Sequence, residues 1–322
     1  MRPLRSRIRA IGAATMLALA GPLLHAQQAA PIRFVVPFPP GGAADQMARL
    51  VANEVAQILA TPILVENKGG AGGMIAGDLV ARAKPDGKTF FVGANAPLVL
   101  NMGIYSKMPY DQEKAFVPVA ALGKSPLLLV SRKDLGVAGV KELVALGKSR
   151  TLTMASAGNG NITHLTGEYA AALMGFKVTH VPFSGSAPAI TSLMGGNVDI
   201  MFDALPSSMG QAKAGMVRPI AILDDQRFPQ LPNVPTLKES GYANAEMSAW
   251  IVLMAPAQTP RSVVLEMNKA VNEALRRPEL IEKVQAIGEQ PMPGTPEDLG
   301  NFIAAERARW LPLIKALGVK SE

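Results

Sequence analysis

Residues 37–45 read Pro37-Phe38-Pro39-Pro40-Gly41-Gly42-Ala43-Ala44-Asp45. Before them, Ile32-Arg33-Phe34-Val35-Val36 is a short, mostly apolar run ending at a proline, the pattern of a strand. After them, Met47, Val51, Val55, Ile58 and Leu59 recur at helical spacing. The segment therefore predicts a strand, a tight Pro-Pro-Gly-Gly turn and a helix. Gly41 and Gly42 have no side chains, so the turn can leave backbone N–H groups open where the helix starts. Such a start carries partial positive charge and suits a carboxylate or phosphate. On these residues alone, a plain tight turn and an anion site stand level.

The same logic returns twice. Thr151-Leu152-Thr153-Met154-Ala155 is strand-like, Ser156-Ala157-Gly158-Asn159-Gly160-Asn161 is a turn of small and amide side chains, and a helix opens near Thr163-His164. Either Asn161 or Thr163 is a suitable N-cap. His180-Val181-Pro182 then runs through Phe183-Ser184-Gly185-Ser186 into a third helix. Asp203 closes the later apolar run Val198-Asp199-Ile200-Met201-Phe202, where it either points into a cleft or caps a helix at Ser207. Two anion-suited turns, one in each half of the chain, favour a binding role, because ligands of open α/β sheets sit at the carboxyl ends of strands.

Across the chain, strands are expected over 32–36, 89–92, 127–130, 152–155, 177–181, 199–202, 220–223 and 251–254. Helices are expected over 45–60, 140–148, 164–174, 187–193 and 207–214. Thr259-Pro260 and Thr295-Pro296-Glu297-Asp298 each offer a Thr N-cap with Pro at the first helical position for two further helices. This alternation implies an α/β protein with largely parallel sheets.

Arg2, Arg5, Arg7 and Arg9 precede an apolar run over 11–24 that is shorter than the roughly 20 residues a membrane span needs. Residues 1–26 therefore read as a signal peptide for the general secretory route, which places the protein in the periplasm. Those four arginines account for part of the +7 net charge; without them it is +3. No Lys/Arg cluster is interleaved with aromatic residues, which argues against nucleic acid. There is no cysteine, hence no disulfide. No His-Glu-x-x-His metal motif, complete dinucleotide fingerprint or Gly-x-Ser-x-Gly elbow is present. No cofactor is expected. An enzyme reading rests on Ser156, His164 and Asp203 as a triad, and a secreted hydrolase is the alternative from another class.

The ordered set of motifs is similar to that of the periplasmic receptors of tripartite tricarboxylate transporters, the Bug-type solute-binding proteins. Pro37–Asp45 matches the pattern P-F-P-P-G-G-x-x-D, and Val65-Glu66-Asn67-Lys68-Gly69-Gly70-Ala71-Gly72-Gly73 matches V-E-N-(K/R)-x-G-A-G-G. Ser156–Leu165 follows S-x-G-x-G-S-x-x-H-L, Val181–Ala189 follows V-P-Y-x-G-x-x-P-A, and Leu231-Pro232-Asn233-Val234-Pro235-Thr236 comes later. The resemblance spans almost all of the chain after the leader. It implies a two-domain α/β periplasmic binding protein of type II, a Venus flytrap with a two-strand hinge near 127–130 and 218–223. The domains would be 27–126 with 224–322, and 127–223.

The resemblance further implies a receptor, not an enzyme, that closes on a small organic acid or amino acid. Its partners would be the membrane permease subunits of such a transporter or, alternatively, a sensor kinase. A monomer is expected, because closure needs free lobes. Two loops would grip one ligand carboxylate: Pro39, Pro40, Gly41 and Gly42 with Asp45, and Ser156, Gly158, Asn159, Asn161 and His164. Asn95, Ser184, Gly185 and Asp203 would meet the rest of the ligand. The chain departs from the pattern at Asn161, where Ser is usual, and at Phe183, where Tyr is usual. An acid at 203 would disfavour a second ligand carboxylate and favour a hydroxyl or ammonium.

Overall fold

A computed structural model of the chain describes residues 30–320; the expected leader over 1–26 lies outside the described residues. Ten strands make one mixed sheet. They are β1 (Ile32–Val36), β2 (Ile63–Asn67), β3 (Thr89–Ala94), β4 (Phe116–Arg132), β5 (Leu152–Ser156), β6 (Val178–Pro182), β7 (Ile200–Ala204), β8 (Val217–Ile222), β9 (Ser248–Pro256) and β10 (Gln290–Pro291). The helices are α1 (Ala43–Ile58), α2 (Met74–Ala81), α3 (Asn101–Ile104), α4 (Val140–Ser149), α5 (Ile162–Met174), α6 (Ser186–Met194), α7 (Leu205–Lys213), α8 (Arg261–Ala274), α9 (Pro278–Ala286) and α10 (Pro296–Leu317).

The strand order is β2-β1-β3-β9-β4-β7-β5-β6, with β8 and β10 pairing on β4. β1 runs parallel to β2 and β3, and β5 runs parallel to β6 and β7. Each parallel group is reached through a crossover helix, so the loops after β1 and β5 open at carboxyl ends of strands. β4 joins the two groups. It pairs antiparallel with β9 as far as Pro126↔Ser248, and from Leu127 onward it pairs with β7 and β8.

β3 is buried at every position, the mark of a strand covered on both faces. Phe34, Val36, Met47, Val51, Val55, Phe90 and Val92 share one apolar cluster with α8 and α9. Leu128, Val130, Ala155 and Met201 share another with α6 and α7, joined by Phe228, Leu231 and Val234 from the segment after β8.

Several boundaries differ from expectation. The strand expected over 127–130 is the second half of a 17-residue strand. Its first half carries Pro118, Gly123 and Pro126, which read as breakers but fall at register shifts and at the change of partner. β2 was not expected. It is an outer strand, half-exposed, and Glu66 interrupts its apolar run to pair with Arg33 on β1 through two bonds of 2.7 and 2.9 Å. The Thr295 cap forms as a full capping box with Asp298. Thr259 does not cap: Pro260 takes the N-cap position of α8, and the Thr259 hydroxyl is buried without a partner.

Candidate functional site

The turn after β1 is held from beneath by Asp45. Its Oδ2 accepts the Gly41 N–H at 3.0 Å, and its Oδ1 accepts from Arg49 Nε at 3.0 Å and Asn67 Nδ2 at 2.9 Å. The same Asn67 amide donates to Phe38 O at 3.0 Å. Burial pushes the Asp45 carboxyl up, but bonds from Arg49, Gly41 and Asn67 outweigh it and hold the group below the usual carboxylate range. Gly41 has φ +86°, which only glycine adopts without strain. The α1 N-cap is Gly42, which offers no side chain, so the N–H groups of Ala43 and Ala44 keep no partner from the helix itself.

The turn after β5 is built differently. Asn161, and not Thr163, is the N-cap of α5: its Oδ1 accepts the Thr163 N–H at 3.1 Å. The Thr163 hydroxyl instead accepts the Ala157 N–H at 2.8 Å and closes the loop on itself. Gly158 and Gly160 have positive φ, +135° and +70°. Ser156 and His164 sit behind this loop. Ser156 Oγ is 2.6 Å from His180 Nε2, and His164 Nδ1 accepts the Gly160 N–H at 3.1 Å, which places the His164 proton on Nε2. Burial, helped by the neighbouring His164, lowers the His180 pKa to about 4, so its ring is neutral.

After β6, Gly185 is the N-cap of α6 at φ +128°, and a β-carbon there would lie 3.3 Å from Pro39 Cδ. The two turns thus touch across the cleft. Asp203 neither lines the cleft nor caps α7, whose N-cap is Ala204. It is fully buried behind Ser186, whose hydroxyl donates to Asp203 Oδ1 at 2.6 Å. Burial raises its pKa to about 7, more than the Ser186 bond lowers it, and its Oδ2 has no partner.

Together these turns wall a cavity of about 70 Å³. Of the residues expected from sequence, Pro39, Pro40, Gly42, Asn95, Asn161 and Gly185 line it. Gly158, Asn159 and Ser184 line a second cavity beside Tyr105 and Phe183, which shares Phe38, Pro39, Ala157 and Asn161 with the first. Asp45, Ser156, His164 and Asp203 are buried and do not line the first cavity, and Gly41 is an exposed residue of the turn after β1 that does not line it either. Asn95 is 1% exposed and bonded to β9: its Oδ1 accepts the Trp250 N–H at 3.1 Å and its Nδ2 donates to Ser248 O at 3.2 Å. Phe38, Ser186, Ser207 and Trp250 also line the cavity and were not singled out from sequence. The start of α7 was legible in principle from Pro206 in its first turn.

The cavity wall carries no charged side chain, yet it collects the first turns of α1, α5, α6 and α7. Three of these helices have no side-chain cap. Open N–H groups converging on an uncharged cavity can hold an anion by hydrogen bonds and dipoles. The triad does not assemble. Ser156 is fully buried and bonded to His180, His164 is tied to Gly160, and Asp203 is tied to Ser186. Among the described residues no cluster of acids and histidines could hold a metal ion, and no helix is long and apolar enough to cross a membrane.

The sequence pattern described as "Tripartite tricarboxylate transporter family receptor" matches residues 47–319. The chain belongs to this family of receptors. BugT of Bordetella pertussis is 35% identical over 91% of this chain and 90% of its own length. An R. palustris protein solved with adipate superposes with a TM-score of 0.88 at 33% identity, over 90% of this chain and 98% of that one. MatC from Rhodopseudomonas palustris, solved with bound malate, superposes with a TM-score of 0.84 at 34% identity, over 88% and 98%. The fold is therefore that of the α/β periplasmic binding proteins. Receptors of this family are periplasmic solute-binding proteins and not enzymes.

Proposed function

We propose that this receptor closes on a small carboxylate and delivers it to the permease subunits of a tripartite tricarboxylate transporter. The observation that carries the reading is the uncharged cavity into which the first turns of α1, α5, α6 and α7 open. Adipate and malate in the related structures support a small organic acid as the ligand. One carboxylate lies between the Pro39–Gly42 turn and the Asn161 end of α5, and the remainder faces Asn95, Gly185 and Ser186.

The two lobes are 27–126 with 224–322, and 127–223, with Phe228, Leu231 and Val234 packed on the second lobe. The hinge lies where β4 changes partner between Pro126 and Leu127, beside Leu223, whose N–H donates to Leu127 O. Residues 1–26 direct export through the general secretory route, and the receptor works as a monomer.

The test is a thermal-shift screen of the purified protein against mono-, di- and tricarboxylates, amino acids and aromatic acids. A saturable rise in melting temperature with one class supports the reading, since a ligand bound to the native state stabilises it. No rise with any acid, together with no co-purified acid in the denatured protein by mass spectrometry, overturns it.

A further inference from the structure

Ser186 is the first residue of α6, lines the cavity and is 9% exposed. Its hydroxyl proton is committed to Asp203 Oδ1 at 2.6 Å. A serine has one proton to give and two lone pairs to receive. With the proton turned inward, Oγ shows only lone pairs to the cavity. Ser207, in the first turn of the neighbouring α7, lines the same cavity, and its Oγ is buried without a hydrogen-bond partner.

We propose that Ser186, oriented by Asp203, selects ligands that carry a hydrogen-bond donor, a hydroxyl or an ammonium, at the end remote from the gripped carboxylate. The inference rests on the carboxylate-receptor reading and narrows its ligand class. A group hydrogen-bonded to Ser186 Oγ sits roughly 4–5 Å from the Asp203 carboxylate, given ordinary bond lengths. At that distance a second carboxylate meets lone pairs backed by negative charge, whereas an ammonium meets attraction. A hydroxyl can donate to Ser186 Oγ. Asp203 itself stays out of contact with the ligand, so it is a positioning residue, and Ser186 is the group that touches.

The experiment uses two matched series of five and six carbons, each with a carboxylate at one end: pentanoate, 5-hydroxypentanoate, 5-aminopentanoate and glutarate, then hexanoate, 6-hydroxyhexanoate, 6-aminohexanoate and adipate. Affinities are measured calorimetrically at pH 8.5, above the raised Asp203 pKa of about 7, so that the carboxylate is ionised and can only accept. The hydroxyl and ammonium members are expected to bind at least tenfold tighter than the methyl and dicarboxylate members. In Ser186→Ala that spread should fall to within twofold.

Tightest binding by glutarate or adipate overturns the inference and leaves the carboxylate reading intact. So does a preference that survives in Ser186→Ala. Failure of every member to bind also overturns it; the carboxylate reading then stands only if another acid of the wider screen stabilises the protein.

Discussion

The imidazoles of His164 and His180 stack face to face, with centroids 3.6 Å apart and planes 6° from parallel. Burial first, and the neighbouring ring second, hold His180 neutral, with its pKa lowered to about 4. In the unfolded chain a histidine titrates near 6.5. As pH falls from about 6.5 towards 4, the unfolded state takes up a proton that the folded state refuses, so stability is lost in that window. His180→Phe keeps an aromatic ring on His164 and deletes the titration. Melting temperature followed from pH 7 to pH 4.5 is expected to fall less steeply in the variant. Parallel profiles would sink this account of His180.

Glu289 contributes the opposite slope. It is fully buried, its Oε1 accepts from Ser125 Oγ at 3.1 Å, and its Oε2 has no partner. Burial raises its pKa to about 8, more than the Ser125 bond lowers it. The folded state keeps a proton that the unfolded state releases near 4.3, so the stabilisation is complete below that pH and is lost as pH rises towards 8. Glu289→Gln keeps the shape and the acceptor for Ser125 without the titration. Urea midpoints at pH 5, 6.5 and 8 should decline less in the variant than in the parent protein; an unchanged decline would assign the slope to other groups.

Removing the Asp45 carboxylate should loosen the turn it underpins. Asp45→Ala deletes the acceptor of Gly41, Arg49 and Asn67 at once. Charged hydrogen bonds and an unpaired amide together imply a loss of about 2–3 kcal/mol in stability. Because the carboxylate does not line the cavity, any loss of ligand affinity must come through disorder of the turn. Chemical denaturation and calorimetric titration with the tightest acid of the screen should both report loss, about tenfold for affinity. Unchanged affinity would make Asp45 purely structural.

Gly185→Ala tests the contact across the cleft. At φ +128° a side chain is strained, and its β-carbon would press on the Pro39 ring at 3.3 Å. Backbone strain of this kind costs about 1–3 kcal/mol. The expected outcome is a lower melting temperature with an affinity loss beyond that of Gly196→Ala, where φ is also positive but no atom lies within 4 Å. Equal effects at both sites would remove the Pro39 contact from the explanation.

The strand–turn–helix units were legible because each couples an apolar run to small residues and then to a 3.6-residue period; β1, α1, β5 and α5 fall within two residues of expectation. What one element does to the next but one was not legible. Ser186 and Asp203 lie 17 residues apart and meet only because β5 pairs with β6 on one side and with β7 on the other. Ser156 finds His180, not His164, for the same reason: β5 pairs in register with β6, Met154 opposite His180. Local pattern carries the turns, while register between strands decides which polar side chain is consumed as scaffold and which faces the ligand. His164 stands in a motif and Asp203 at a strand end, and both serve as supports, bonded to Gly160 and Ser186.

The uncharged cavity wall bears on how fast a ligand arrives. A net charge attracts over about a Debye length, near 8 Å at physiological ionic strength, and salt weakens that pull. The four first turns present partial charges whose field fades within a helical turn. Capture of an anion here should then proceed at the rate of chance collision, with an association rate constant that changes little between dilute buffer and strong brine. Discrimination among solutes would show itself in how long each one stays.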